Sequence, residues 1–187
     1  LMLLALPGCT YLYQGEELGL FEVEDLKHED LQDPNWFRNI HRIMRKEKPS
    51  GLALVHTDKG RDGCRVPLPW SPVGASFGFS KSGKSHLPQP KWFKDFAVEM
   101  QKGIKGTTLE MYKDALKLRK ILQTEEELKW IPTSSAEVIH FVRPNGWNCI
   151  MNFNGKPYKM PKGEILMVSG PLKSGKIPAN TTVWFRS

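Results

Sequence analysis

A segment from Leu20 to about Pro90 shows neither helical nor strand periodicity, and it limits what the chain can fold into. Prolines, glycines, aromatic residues and charged residues are mixed throughout it. Compact domains seldom contain an irregular connection of roughly seventy residues, so the segment is either an elaborate functional loop with short helices or a sign that elements are misassigned. Aromatic residues such as Trp36, Trp70 and Phe77 would anchor it to a core.

Within that segment lies the stretch Gly60–Trp70, Gly-Arg-Asp-Gly-Cys-Arg-Val-Pro-Leu-Pro-Trp. Its glycines allow unusual backbone angles, and its prolines fix φ and keep their neighbours extended. We therefore expect a stiff, non-helical loop that presents Arg61 and Arg65 in a set direction. A guanidinium group suits carboxylates and vicinal hydroxyls. The alternative is a solvated surface ion pair with Asp62, which would contribute little.

The start of the chain contains a short helix end and a strand pattern. Leu1–Leu6 is apolar and stops at Pro-Gly, which is typical of the last turn of a buried helix. Thr10–Gln14 is rich in strand-favouring residues and predicts a strand buried on both faces. Glu16 and Glu17 follow it, where barrel and open-sheet enzymes build active sites. A polar turn that happens to hold two glutamates is the alternative.

Two helices are predicted after the irregular segment. Lys91–Met100 has apolar residues at helical spacing. A second helix begins after Thr107, with Glu110 completing a capping box, and extends to about Gln123. Its predicted core stripe comprises Leu109, Tyr112, Leu116, Ile121 and Leu122.

After Glu127 the hydrophobic period changes from helix to strand. The alternation and the Pro-Asn-Gly and Asn-Gly turn signals predict a small antiparallel β module. Its strands are expected at Glu137–Arg143, Trp147–Phe153, Glu164–Val168 and Thr181–Phe185.

Composition narrows the class of partner and the compartment. The formal net charge is +7 and the pI about 9.3, yet the lysines are spread over the chain and no nucleic-acid recognition motif occurs, so we expect no nucleic-acid partner. A basic cluster, Arg38 to Lys48, is expected to be a solvated helical face. Three widely spaced cysteines without a C-x-x-C indicate free thiols in the cytoplasm and no zinc site. No apolar run is long enough to span a membrane.

The order of these elements matches the end of a (β/α)8 barrel followed by a β-sandwich, and the motifs resemble one family closely. Leu6–Gly19 resembles the eighth-strand motif of the α-amylase superfamily in its α-glucosidase branch. Gln32-Asp33-Pro34, Gly60–Trp70, Gly78-Phe79-Ser80 and Leu87–Pro90 occur in the same order in bacterial maltases and oligo-1,6-glucosidases. The resemblance implies an α/β plus all-β fold: the end of the TIM barrel over residues 1–126, then a β-sandwich domain over residues 127–187.

That resemblance also implies a retaining hydrolase of terminal α-linked glucose, which uses a carboxylate nucleophile and an acid/base. In the family these carboxylates, and a further stabilising aspartate, belong to strands four, five and seven. None of Asp25, Asp33 or Asp62 matches their motifs, so we expect no catalytic residue in this chain. The chain is expected to begin in the middle of a protein, to be inactive alone and to need a polypeptide that carries the rest of the barrel. Neither a cofactor nor a metal is expected.

By motif position, Arg61 resembles the arginine that reaches the non-reducing glucose, and Arg65 is the second candidate. Supporting positions are expected at Gln14, Glu16, Glu17 and Asp62. Two positions depart from the family pattern, Thr10 where proline is common and His86 where tryptophan is common. A non-catalytic sugar-binding or partner module of the same ancestry remains the alternative function.

Overall fold

The structure, a computed structural model, describes residues 1–44 and 60–187. These residues form two compact units. The sheet unit comprises residues 1–14 and 103–187, and the loop unit comprises residues 15–102. Four α-helices are present in the described residues: α1 (Met2–Ala5), α2 (Pro34–Met44), α3 (Val98–Gln101) and α4 (Thr108–Leu122).

The sheet unit contains two antiparallel sheets. The five-stranded sheet has the order β1-β2-β3-β7-β5, and β4 pairs with β6 in a two-stranded ribbon. The seven strands are β1 (Lys129–Trp130), β2 (Val138–Val142), β3 (Trp147–Asn152), β4 (Tyr158–Lys159), β5 (Glu164–Val168), β6 (Lys176–Ile177) and β7 (Thr181–Arg186). The four predicted strands are therefore confirmed, because each turn signal lies between alternating apolar runs.

Both faces of the larger sheet are buried, as alternation along each strand requires. On one face Trp147, Cys149 and Trp184 pack with Leu4 of α1 and Ala115 of α4. On the other face a second cluster forms, which comprises Val138, Ile150, Ile177, Val183 and Phe185. Burial raises the pKa of the Cys149 thiol to about 12. Strand β3 thus contributes to two cores, which explains its nearly continuous burial.

The side chain of Arg119 in α4 fixes the start of the chain within the sheet unit. It donates hydrogen bonds to the carbonyl oxygens of Leu4, Leu6 (2.9 Å) and Gly8 (2.8 Å). These carbonyls lie in the last turn of α1 or just after it, where no later helical turn donates to them. The predicted helix end at Leu1–Leu6 is confirmed, with α1 ending at Ala5.

The predicted buried strand at Thr10–Gln14 is wrong in this structure. The segment has no strand assignment, and 88% of Tyr11 and 50% of Tyr13 are exposed. A strand needs a hydrogen-bonded neighbour, and no described segment pairs with these residues. Without a ladder or a covering layer, strand-favouring residue types alone do not form a buried strand.

Two helical details also differ from the predictions. Lys91–Met100 is not one helix, because extended Ala97 separates a 3-10 helix (Lys91–Phe96) from α3. Helix α4 is confirmed, but Leu116 and Ile121 of its predicted stripe are exposed, and the fully buried positions are Ala115 and Leu122. The buried face is therefore narrower than the apolar pattern suggested, because only one side of α4 packs on the sheet.

The loop unit contains little regular secondary structure, but its apolar side chains form a hydrophobic core. Helix α2 and short 3-10 helices surround a cluster of buried apolar side chains. The cluster comprises Val23, Leu26, Leu31, Trp36, Val66, Leu87 and Phe93. In its described parts, residues 20–44 and 60–90, the irregular segment is thus a packed loop with short helices, which was one of its two predicted interpretations. The predicted basic helical face is described only as far as Met44, and Arg45 to Lys48 lie outside the described residues.

No described helix combines the length and apolarity that crossing a membrane requires.

Candidate functional site

The loop that carries the two arginines is built around a glycine. Gly60 has φ of +84°, and a Cβ there would lie 2.4 Å from both Cβ and Cγ of Asp33. A side chain is therefore excluded by backbone conformation and by space. A 3-10 helix (Asp62–Cys64) follows, and then Val66, Pro67 and Pro69 are buried. The predicted non-helical loop therefore contains no α-helix, but one turn of 3-10 helix interrupts it, and its stiffness stays a prediction.

Asp62 is the buried centre of this loop. Its side chain is only 2% exposed, and its Oδ2 accepts hydrogen bonds from the backbone N–H groups of Gln32 (2.7 Å) and Asp33 (2.8 Å). Charge-assisted bonds of this kind are stronger than neutral ones. Asp62 therefore ties two segments that lie about thirty residues apart, which makes it part of the support rather than a free surface ion.

Asp33 connects the same two segments through its own carboxylate, and it also caps helix α2. It immediately precedes α2, and its Oδ1 accepts a hydrogen bond from the N–H of Asn35 (2.8 Å), as an N-cap residue does. Its Oδ2 accepts from the N–H of Arg61 (3.0 Å). The Asn35 and Arg61 N–H groups, with the Arg65 guanidinium, hold the pKa of Asp33 below its ordinary value. The carboxylate is therefore stabilised in its charged form.

Arg65 faces this pair of aspartates. Its Nη1 lies 3.0 Å from Asp33 Oδ2 and 3.6 Å from Asp62 Oδ1. The side chain is 44% exposed, while both carboxylates are almost fully buried. Its single positive charge attracts both buried carboxylates and so offsets part of their mutual repulsion. Arg65 thus braces the loop.

Arg61 is placed differently, although it is only four residues away. Its backbone N–H is held by Asp33, whereas its side chain is exposed. Among residues 1–44 and 60–187, no carboxylate lies within ion-pair distance of its guanidinium. The result is a held backbone that presents to solvent a guanidinium group without an ion-pair partner among the described residues.

Asp33 was not among the residues selected from the sequence, although the motif Gln32-Asp33-Pro34 had been noted. The missed signal is Asp before Pro, because aspartate is a preferred N-cap and proline a preferred first helical residue. Asp33 is also unsuited to general acid catalysis. Its carboxylate accepts hydrogen bonds from two N–H groups and faces Arg65, which lowers its pKa, whereas a general acid needs a raised pKa.

Other motifs of the ordered set contact the same loop. The side-chain amide of Gln89, in Leu87–Pro90, donates to the carbonyl oxygen of Pro67 (2.8 Å). The N–H groups of Trp70 and Ser71 both donate to the carbonyl oxygen of Phe77 (2.8 and 3.0 Å). Gln89, and Phe77 directly before Gly78-Phe79-Ser80, therefore both brace the Gly60–Trp70 loop or the residue after it.

The remaining predicted support residues, Gln14, Glu16 and Glu17, are divided between the two units. Glu16 and Glu17 are in a 3-10 helix of the loop unit, where Glu17 accepts a hydrogen bond from the N–H of Gly15 (2.8 Å). Gln14 is exposed and belongs to the sheet unit. Their contribution to a sugar pocket stays a prediction.

Comparisons with known proteins agree on one family. The model described as "Alpha amylase, catalytic domain" matches residues 1–127. A probable alpha-glucosidase of Rhizobium meliloti (strain 1021) is 32% identical over 153 residues, which cover 78% of this chain and 23% of the relative.

Solved structures extend the likeness. A trehalulose synthase variant matches with a TM-score of 0.80 at 18% identity, over 100% of this chain and 37% of that chain, which supports a shared fold alone. An alpha-glucosyl transfer enzyme matches with a TM-score of 0.69 at 28% identity, over 99% of this chain and 34% of that chain. The chain thus spans under a quarter of the curated relative and just over a third of these solved chains.

Proposed function

Because the chain belongs to the alpha-amylase family, we propose that it forms the C-terminal part of a retaining α-glucosidase. In this proposal residues 1–126 complete the (β/α)8 barrel, and residues 127–187 form the C-terminal β-sandwich domain. The end of the family match at residue 127 and the antiparallel strands that follow support this division. The substrates are oligosaccharides with terminal α-linked glucose.

The observation that carries the proposal is the different placement of the two arginines. Arg65 is engaged by Asp33 and Asp62, whereas Arg61 is exposed and its backbone N–H donates to Asp33. A positioned guanidinium offers charge-assisted hydrogen bonds to vicinal hydroxyls. We assign Arg61 to the hydroxyls of the terminal glucose and Arg65 to bracing. Closing the pocket there would favour release of single glucose units.

The nucleophile and the acid/base lie, in this proposal, outside these 187 residues. Retaining glycosidases place two carboxyl groups about 5 Å apart, one of them with a raised pKa. Asp33 and Asp62 are the close carboxylate pair of this loop, and the lowered pKa of Asp33 opposes an acid role. A polypeptide or segment with the rest of the barrel would supply both catalytic groups.

We place the enzyme in the cytoplasm. Cys9, Cys64 and Cys149 are all free thiols in the structure, and free thiols persist in a reducing compartment.

The test determines the coding sequence upstream of Leu1 and then expresses the chain together with the residues encoded there. The restored protein should release nitrophenol from nitrophenyl α-glucoside. Arg61→Ala should lower kcat/KM by about 10- to 100-fold, since a hydrogen bond to a charged group is worth about 1.5–3 kcal/mol and each 1.4 kcal/mol is tenfold.

The matched control is Arg186→Ala, an equally exposed arginine at the end of β7 in the sheet unit. This control should keep the activity of the unmodified protein. An upstream sequence without the barrel carboxylates would overturn the enzyme assignment and leave the non-catalytic sugar-binding module. An equal loss in both variants would instead overturn the assignment of Arg61.

A further inference from the structure

The small ribbon formed by β4 and β6 has an unusual row of charges. Lys159 in β4 lies directly opposite Lys176 in β6. A further antiparallel bridge places Lys173 opposite Lys176 on its other side. Three lysines therefore stand in line across three adjacent backbone segments.

A tight turn fixes one half of this row. The N–H of Lys173 donates to the carbonyl oxygen of Lys176 (3.1 Å), and the N–H of Lys176 donates back to Lys173 (3.0 Å). The two residues between them, Ser174 (φ 49°) and Gly175 (φ 67°), both have positive φ, as a type I′ hairpin turn requires. The backbone thus holds the two lysines as a hydrogen-bonded pair.

All three side chains project to the solvent face of the ribbon. Directly opposite residues share a face of a sheet, and successive residues alternate between faces. Tyr158 and Ile177, the neighbouring pair, belong to the core beneath the larger sheet, and Ile177 is fully buried. Lys159, Lys173 and Lys176 therefore lie on the opposite face, where each is exposed.

The positive charges of these three lysines are not balanced by a carboxylate of the described residues. Among the described residues, no carboxylate forms an ion pair with any of the three lysines. Directly opposite side chains stand about 5 Å apart at Cβ, and like charges in that position destabilise a sheet. A two-residue strand pair gains little from its own ladder, so the repulsion is not offset locally. An anion that spans the row would relieve it.

We propose that this ribbon binds a linear anionic polysaccharide that carries a carboxylate or a sulfate ester on successive sugars. A line of point charges at a spacing of about 5 Å matches a ligand with repeated charges along one chain. Lysine suits such a ligand because its ammonium group needs no planar, bidentate partner. Lys159 and Lys162 also line an adjoining hollow of about 550 Å³ with Ser134 and Tyr158, which extends the basic surface.

Other anionic partners fit the ribbon less well. Single-stranded nucleic acid binds by stacking successive bases on aromatic side chains, and the ribbon contains one aromatic residue, Tyr158, which is half-buried against the core. An amphipathic membrane-surface element inserts an apolar face beside its basic residues, and the two strands expose no large apolar side chain. The proposed site is independent of the glucosidase assignment, because none of its residues belongs to the Arg61 loop.

The experiment measures binding of the 187-residue chain to dextran sulfate and to polygalacturonate, with uncharged dextran as the blank. The test variant carries Lys159→Gln, Lys173→Gln and Lys176→Gln together. The control variant carries Lys81→Gln, Lys84→Gln and Lys91→Gln, three exposed lysines of the loop unit with the same change in net charge. We expect the test variant to bind both polyanions at least tenfold more weakly and the control variant to bind as the unmodified chain does.

Melting temperatures test the proposed site in two further ways. Without ligand, Lys176→Gln should raise the melting temperature, because it removes the middle charge of the row. Added dextran sulfate should raise the melting temperature of the unmodified chain and not that of the triple test variant. Equal losses of binding in the test and control variants would overturn the site. Tighter binding of poly(U) RNA or of phosphatidylserine vesicles than of either polysaccharide would overturn the ligand class.

Discussion

The five-stranded sheet and the Gly60–Trp70 loop are held together by different physics. The sheet has alternating apolar side chains that fill a core on each face, with Trp184 and Phe185 adjacent in sequence but in different cores. The loop is held by two buried carboxylates that bond to backbone N–H groups of distant segments. Apolar burial is non-directional, whereas these bonds fix individual groups in position. The sheet therefore supplies stability, and the loop supplies a positioned guanidinium.

The largest effect is expected in the sheet. Trp184→Ala should destabilise the sheet unit by about 3–5 kcal/mol, because it removes a fully buried ring that contacts Trp147 and leaves a cavity. Urea unfolding followed by circular dichroism measures the change. Trp130→Ala is the control, since Trp130 is 60% exposed, and it should cost less than about 1 kcal/mol. Equal effects of the two substitutions would contradict the two-sided core.

A smaller effect that is confined to the loop unit is expected from Asp62→Ala. The change leaves the N–H groups of Gln32 and Asp33 without their acceptor, and an unsatisfied buried group costs about 1–3 kcal/mol. Hydrogen exchange should accelerate at those two amides, with the amides of β3 unchanged. The exposed Asp95 provides the control, because Asp95→Ala should leave all of these rates as they are. Faster exchange in β3 would show that the loop and the sheet do not respond separately.

The substitution Gly60→Ala tests whether steric overlap adds to the cost of a positive φ. Alanine at positive φ costs about 1–2 kcal/mol wherever it is placed. At Gly60 its Cβ would also overlap Asp33, whereas Gly103 has a similar φ of +78° and no neighbouring atom within 4 Å. Thermal unfolding should therefore show a larger loss for Gly60→Ala than for Gly103→Ala. Equal losses would mean that Asp33 moves aside freely and that the loop is not tightly held.

The smallest change in stability is expected when the pH is lowered. The folded-state pKa of Asp33 lies below its ordinary value of 3.8, so its contribution to stability is present above that value and is lost as the pH falls through the folded-state pKa. Asp33→Asn should flatten this acid loss in the loop unit. A carbon-13 titration of the Asp33 carboxyl group measures the pKa directly. A midpoint at or above 3.8 would contradict the bonding described for this group.

The comparison also explains what the sequence could predict. Strands β2, β3, β5 and β7 were predictable because alternation and the turn signals Pro-Asn-Gly and Asn-Gly are local. The hydrogen bonds that join Asp33 and Asp62 to distant segments gave no such local signal, since their partners lie about thirty residues away and are backbone N–H groups, which every residue except proline has. The predicted strand at Thr10–Gln14 failed for a related reason. A strand depends on a neighbour, and residue types alone do not show whether one is present.

For the site, the motifs ranked Arg61 before Arg65 as a substrate contact, and the structure adds which guanidinium faces the two aspartates. Arg61 and Arg65 have the same chemistry and flank the same aspartate in the sequence. Which guanidinium faces Asp33 follows from the turn at Gly60 and the short 3-10 helix after it. Such backbone geometry is set by contacts with distant segments, so residue spacing could not decide it.

The most direct test of the different roles of Arg61 and Arg65 is the free energy of unfolding of Arg61→Ala and Arg65→Ala, measured side by side in urea. Arg65→Ala should destabilise the loop unit by about 1–3 kcal/mol, because it leaves two buried carboxylates facing each other, although partial exposure moderates the loss. Arg61→Ala should stay within about 0.5 kcal/mol of the unmodified chain, as exposed substitutions usually do. A destabilised Arg61→Ala beside an unchanged Arg65→Ala would reverse the two roles and contradict the account.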